Sequence, residues 1–271
     1  MAYKMICLDL DGTLLDKESK LNNTDINTLR KCLEKGIYVY IVTGRPYFFA
    51  RYIANLISKD VRVIASNGGC YELNDEIVER HIDKVVLDEI IDTLVEDDMH
   101  AFYKNKEEIY TLEDPDPRFI YDSYNDIEGF PHTKSYNSLS VEELKEKAQA
   151  VDKILVYNMD PEVLISSRAK TTAIKGTVVS SYSNISFDVN SSGTTKGAII
   201  EVVAKELNIS TDEIIAYGDG ENDIPMFKVC GHKVAMENGH EELKKLADEI
   251  TLDYIHAGVS HSLKQIFDIK D

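Results

Sequence analysis

Short apolar runs, each closed by an acid, a glycine or a small polar residue, set the rhythm of this chain. Met5-Ile6-Cys7-Leu8 runs into Asp9-Leu10-Asp11-Gly12-Thr13, the pattern of a buried strand meeting a loop. From Asn23 to Lys35 the apolar residues Ile26, Leu29, Cys32 and Leu33 recur at helical spacing. Asn23 or Thr24 can cap that helix and Gly36 stops it. A second strand is predicted over Ile37 to Val42, ending in Thr43-Gly44-Arg45-Pro46. A helix from Tyr47, a strand over Val61 to Ala65 and the loop Ser66-Asn67-Gly68-Gly69 follow. Strand, helix, strand, helix, strand with short connections predicts a parallel sheet with helical crossovers.

The pattern then changes. Runs over Cys70 to Leu73 and Glu76 to Ile82 predict a hairpin around Asn74-Asp75. A helix from Val85, short strands at His100 and Ile109, and a loop rich in Pro, Asp and Tyr over Glu113 to Pro131 follow. A helix from Val141, a strand at Lys153, a weak helix from Pro161 and strands at Thr177 and Ile185 complete this stretch. Hairpins mixed with helices suggest an inserted α+β module. From Thr194 the first pattern returns. The tail reads as a helix carrying Lys196 in its first turn, a strand over Glu213 to Tyr217, a helix opening near Pro225, a strand at His232, a helix over Glu241 to Asp248 and a last helix from Val259. The expected organisation is an α/β core over residues 1–82 and 189–271, interrupted by a module over 83–188.

Composition narrows the partners. A length of 271 residues with 43% hydrophobic content supports one large domain or two ordinary ones. A formal charge of -18 disfavours nucleic acid and anionic membranes as partners. Cys7, Cys32, Cys70 and Cys230 form no close pair, which suits reduced thiols and a cytoplasmic protein. No leader is expected at the N-terminus, and no apolar run reaches the length of a membrane span. The histidines lack a compact ligand spacing, which speaks against zinc.

The chemistry-bearing residues stand at predicted strand ends, where sites in parallel sheets lie. Asp9 and Asp11 are two apart and share a face. Thr43 and Gly44 end the second strand. Gly218-Asp219-Gly220-Glu221-Asn222-Asp223 ends a late one. Taken singly, Asp219 can be a turn acid, Lys196 a solvated lysine, Arg45 a partner of a surface acid, and Asn67-Gly68 a turn. Taken together, the acids suggest a hard cation with oxygen ligands. Acids with Lys196, Thr43 and exposed amides suggest a phosphoryl group held against that cation. Helix N-termini at Lys196 and Asn222 add favourable dipoles. A dinucleotide-binding reading fails because Gly218-Asp219-Gly220 lacks a third glycine.

The chain resembles a haloacid dehalogenase-superfamily phosphatase of the Cof type, subclass IIB, with a C2B cap. The motifs that carry the resemblance occur in order: Asp9-Leu10-Asp11-Gly12-Thr13-Leu14, Thr43-Gly44-Arg45, Lys196-Gly197, and Gly218 to Asp223. Only about thirty residues separate Asp11 from Thr43 and about 150 separate Thr43 from Lys196, so the insertion is of the C2 kind. The resemblance implies a Rossmann-like core and a mobile cap. It implies Mg²⁺ held by Asp9, Asp11 through its carbonyl, Asp219, and Asp223 directly or through water. Asp9 would attack phosphorus, and Asp11 would act as acid and then base. Leu10, Thr43, Gly44, Lys196 and Asn222 would hold the phosphoryl group, with Arg45, Asn67 and Gly68 on the substrate side. The implied substrate is a small phosphorylated metabolite, sugar phosphates first. The alternatives are a phosphomutase and a non-enzymatic phosphometabolite sensor. Oligomeric state is open between monomer and dimer. The chain departs from the family at His256-Ala257-Gly258-Val259, where an acid is usual, and at Ala235-Met236-Glu237-Asn238-Gly239, where Ala is usual in place of Gly239. Neither departure falls on the expected catalytic set.

Overall fold

A computed structural model of the chain describes residues 3–113, 134–183 and 185–270. The core begins with strand β1, Met5–Leu8, helix α1, Asn23–Glu34, strand β2, Tyr38–Val42, helix α2, Tyr47–Ile57, and strand β3, Arg62–Ala65. Hairpin strands β4, Cys70–Leu73, and β5, Glu76–Glu79, follow. The inserted stretch holds helix α3, Lys84–Glu96, strands β6, His100–Lys104, β7, Glu108–Tyr110, and β8, Lys134–Tyr136, and helix α4, Val141–Lys147. It continues with strand β9, Lys153–Tyr157, helix α5, Pro161–Ala173, and strands β10, Thr177–Ser183, and β11, Ser186–Ser191. The core resumes with helix α6, Lys196–Glu206, strand β12, Ile214–Gly218, helix α7, Ile224–Phe227, strand β13, His232–Met236, helix α8, Glu241–Lys244, strand β14, Glu249–Thr251, and helix α9, Gly258–Phe267.

The described residues form two sheets. The first runs β14-β13-β12-β1-β2-β3-β4-β5. It is parallel from β14 to β3, and the β4–β5 hairpin adds an antiparallel edge. Period-two alternation in β1 explains why its apolar run is unbroken. Ile6 and Leu8 pack with Leu29 of α1, Phe49 of α2 and Leu263 of α9 on one face. Met5 and Cys7 pack with Ile199 and Val203 of α6 on the other. A sheet covered on both faces needs apolar residues at every strand position. β1 lies between β2 and β12, so their C-terminal ends stand side by side.

The second sheet runs β10-β11-β9-β6-β7-β8. Its pairings are antiparallel except β7 with β8. One face packs on Leu87, Ile90 and Leu94 of α3 and Leu164 of α5. On the other face Phe102, Leu155 and Tyr157 join the apolar cluster of the core. This is an α/β core with a parallel central sheet and an inserted α+β cap, as the sequence leads one to expect.

Several elements depart from expectation. α1 takes Asn22 as its cap, through a 2.8 Å bond to the Thr24 amide. α5, by contrast, spans the expected Pro161–Ala173 despite its weak pattern, because Asp160 caps it and Pro161 opens it. α8 stops at Lys244, and the next residues lead into β14, which the sequence pattern hides in three residues with polar ends. α7 has only four residues. β8 is also unanticipated, since Lys-Ser-Tyr carries no alternation and is recruited by pairing alone. β11 continues past Asp188, the expected edge of the inserted module, to Ser191. The stretch expected as a Pro- and Tyr-rich loop lies outside the described residues beyond Glu113.

Candidate active site

The site grows from three neighbouring strand ends. Asp9 directly follows β1, Thr43 follows β2 and Asp219 follows β12. The Asp9 amide donates to Tyr217 O at 3.0 Å and the Thr43 amide to Ile64 O at 2.8 Å, so ladder bonds fix both residues. Gly12 turns the chain with φ of +79°, and a Cβ there would lie 2.3 Å from Asp219 Oδ2. Glycine is therefore required for the two acidic loops to meet.

Lys196 ties the acids together. It opens α6, and its buried Nζ lies 2.5 Å from Asp9 Oδ1 and 2.6 Å from Asp223 Oδ1. Asp223 Oδ2 accepts the amides of Asp219 and Gly220 at 2.9 and 3.0 Å. Asp223 thus folds its own loop back and presents one oxygen to the lysine. Asp9, Asp219 and Asp223 each offer an oxygen within 4.8 Å of the others. Burial pushes the Asp9 carboxyl well above the usual carboxylate range. Lys196 opposes that shift, and Asp223, Asp219 and Asp11 add to it. Burial, then Asp223, push Asp219 up to about 7 against the pull of Lys196. Burial depresses the Lys196 ammonium, but Asp223 and Asp9 more than offset this and hold it charged. Three carboxyl groups around one ammonium leave the site short of positive charge.

The expected substrate-side residues divide. Arg45 holds both oxygens of Asp11, Nε to Oδ2 at 2.9 Å and Nη2 to Oδ1 at 2.7 Å. It also lies over the Phe49 ring, 4.9 Å from the centroid. Both carboxylate oxygens of Asp11 are therefore engaged by one guanidinium. The Asp11 carboxylate stands outside the three-acid group, so that group does not include it as a side-chain ligand. Thr43 is buried, and its Oγ1 accepts the Arg45 amide at 3.1 Å. Leu10 is wholly buried and its carbonyl closes the following turn, so its amide is what it could offer a ligand. A Cβ at Gly68 would lie 2.5 Å from Ile199 Cγ1, so Gly68 serves the packing of its loop against α6. Asn67 has φ of 55° and its amide group reaches Asp188 of β11 at 2.9 Å. Asn222 lies in the short turn between Asp219 and Asp223, partly buried.

Residues 6–263 match the family model described as haloacid dehalogenase-like hydrolase. The chain belongs to that family. The hydrolase is 25% identical to the 5-amino-6-(5-phospho-D-ribitylamino)uracil phosphatase YwtE of Bacillus subtilis, over 97% of this chain and 98% of that one. It is 28% identical to the phosphatase YwpJ of the same organism, over 97% and 99%. A haloacid dehalogenase-like hydrolase from Bacteroides thetaiotaomicron superimposes with a TM-score of 0.84 at 26% identity, covering 98% of this chain and 100% of that one. This hydrolase is a phosphatase, and one of these relatives, YwtE, is a phosphatase of a small phosphorylated metabolite.

The hydrolase also brings polar residues to the site that the sequence does not single out. Lys153 of β9 has its Nζ 2.6 Å from Asp188 Oδ2 and 2.7 Å from Gly44 O. Asn190 of β11 donates to Ser66 O at 2.9 Å and to Asp152 O at 2.7 Å. Lys104 of β6 is fully buried beside the Phe102 ring, and burial, then Lys153, push its ammonium well down. The legible signal was a charge within an apolar run, in Lys153-Ile154-Leu155-Val156 and Phe187-Asp188-Val189. From the core, Asn238 Nδ2 donates to Gly12 O at 2.8 Å and the His240 amide to Asp219 O at 2.8 Å. Asn238, in the atypical stretch, thus props the Gly12 turn, and His240, just beyond Gly239, props the Asp219 loop. No described helix is long and apolar enough to cross a membrane.

Proposed function

We propose that this phosphatase uses Mg²⁺ and an aspartyl phosphate on Asp9 to hydrolyse monoesters of small metabolites, sugar phosphates foremost. The observation that carries the reading is the Lys196 bridge between Asp9 and Asp223 with Asp219 alongside. Three clustered carboxylates, two of them buried and Asp219 half-buried, fit a hard divalent cation. Asp9, Asp219 and the Asp11 carbonyl would hold it, with Asp223 behind them. Bound there, the cation neutralises developing charge on the phosphoryl oxygens.

The side chains divide the remaining work. Asp9 Oδ attacks phosphorus and the P–O bond to the leaving group breaks. Asp11, once free of Arg45, gives its proton to the leaving oxygen and then takes one from the water that attacks phosphorus as the Asp9 Oδ–P bond breaks, releasing phosphate. Lys196 and Thr43, with the amides of Leu10 and Gly44, hold phosphoryl oxygens in place. Asp223 keeps Lys196 charged and aimed. Arg45, once it leaves Asp11, is available to the substrate anion. The inserted sheet closes this chamber and contacts the leaving group. The substrate in the name of YwtE, a ribityl phosphate ester, supports a polyhydroxylated leaving group. A panel of phosphorylated metabolites, assayed for phosphate release with and without Mg²⁺, tests the reading. Release of phosphate with Mg²⁺ and none after chelation is expected. Full activity in the chelated enzyme overturns the metal assignment.

A further inference from the structure

We infer that Lys153, supplied by the inserted sheet, is a positioning residue that sets the hydrogen-bonding direction of the Thr43 hydroxyl. The inference rests on the phosphatase reading, in which Thr43 holds a phosphoryl oxygen. It concerns a residue outside every motif of the core.

A single peptide unit links the two residues. The carbonyl of the Gly44–Arg45 peptide accepts from Lys153 Nζ at 2.7 Å. The N–H of the same peptide donates to Thr43 Oγ1 at 3.1 Å. A peptide unit is planar, so holding its carbonyl also holds its N–H. A threonine hydroxyl carries one proton and two acceptor positions. With the Arg45 amide occupying an acceptor position, the Thr43 proton is directed elsewhere, toward the place a phosphoryl oxygen would occupy. Rotation of the Gly44–Arg45 peptide would remove that bias.

The contact is built to be stiff. Lys153 is buried, and its second partner, Asp188 Oδ2, is buried as well, at 2.6 Å. Asp188 Oδ2 also accepts from Asn67 Nδ2 at 2.9 Å, and the Asn67 amide donates to Thr43 O at 3.0 Å. The Thr43 carbonyl is thus tied through Asn67 to Asp188 of β11, and the Gly44–Arg45 peptide to Lys153 of β9. A Cβ on Gly44 would meet Asn67 Oδ1 at 3.0 Å and Lys153 Nζ at 3.5 Å, so the loop fits closely into the clamp. A charged donor on a buried carbonyl is among the stronger hydrogen bonds. Closure of the inserted sheet and readiness of the phosphoryl site are thereby one event.

The competing account is that Lys153 only neutralises Asp188. The full chain carrying Lys153→Met, Lys153→Gln, Lys153→Met with Asp188→Asn, and each of these with Thr43→Val separates the two. The probe is p-nitrophenyl phosphate, with folding checked by circular dichroism. The double change should lower kcat about 10–100-fold with KM within about threefold, the pattern of an interaction made in the transition state. In the Thr43→Val background it should lower kcat less than about threefold further, because contacts that act through one another are not additive. Lys153→Gln, which keeps a donor but loses the charge, should recover most of the kcat that Lys153→Met loses. Equal loss in the Gln and Met variants, or full multiplication of the effects in the Thr43→Val background, overturns the inference. If the wild type does not turn over this ester, the phosphatase reading is what fails. The same variants are then compared for inorganic phosphate affinity by calorimetry. Non-additive weakening with Thr43→Val supports the positioning role, and additive or absent weakening overturns it.

Discussion

Lys196 and Lys153 are both buried and both bridge an aspartate to a second acceptor, yet their surroundings differ in charge. Lys196 faces Asp9 and Asp223 with Asp219 beside them. Lys153 faces one aspartate, Asp188, and a neutral carbonyl, with the buried Lys104 close by. Buried charges persist only when compensated. The second cluster is compensated by its own residues and acts as a joint between inserted sheet and core. The first gathers three carboxyl groups around one lysine, an excess of acid that a cation could balance. The same pair of residue types makes an acid-rich cluster in one surrounding and a charge-balanced contact in the other.

The comparison breaks most visibly at Asp9. Asp9→Asn preserves shape and removes the nucleophile, so kcat should fall by at least about 10³-fold, some 4 kcal/mol of barrier. A variant that keeps a tenth of wild-type turnover would remove Asp9 from that role. Asp219→Asn reduces the acid surplus itself. The Mg²⁺ concentration giving half-maximal activity should rise about 10–100-fold, while loss of a merely structural acid would leave it unchanged. Gly12→Ala places a Cβ against Asp219 Oδ2 and should raise the same Mg²⁺ requirement by a smaller factor, about 3–10-fold. An unaltered requirement would mean that the two acidic loops adjust freely.

The smallest effect concerns the second cluster. Burial, then Glu79, push the Asp152 carboxyl from 3.8 up to about 7. The folded protein therefore binds this proton more tightly than the unfolded chain. Its stabilising contribution is whole below about pH 4 and declines as pH rises toward about 7. Asp152→Asn removes this titration. Its stability in urea should stay flatter than that of wild type across this range, and exceed it at pH 8 by roughly 1–3 kcal/mol. Parallel pH profiles would show that Asp152 does not titrate in the joint.

The gathering of the candidate site residues was legible in the sequence because each part of the set is local. Asp9 and Asp11, Thr43 and Gly44, Lys196, and Asp219 through Asp223 sit at strand ends or helix starts that apolar patterning marks. Parallel order then brings those ends together. The clamp was not legible, because Lys153, Asp188 and Gly44 are distant in sequence and no spacing rule joins them. The Arg45 pairing with Asp11 depends on side-chain torsions that no pattern encodes. Gly68 was read as a substrate-side residue or a turn, and its missing Cβ also makes room for Ile199 of α6, a packing role that no spacing reveals. β8 and β14 were missed because three-residue strands carry too little alternation to read.

The central claim is that Asp9, at the acid-rich cluster, takes the phosphoryl group before water does. The stereochemical course at phosphorus tests this most directly, using a monoester made chiral with oxygen isotopes. Two successive in-line displacements, first by Asp9 and then by water, predict net retention of configuration. Net inversion would mean a single displacement by water and would contradict the account.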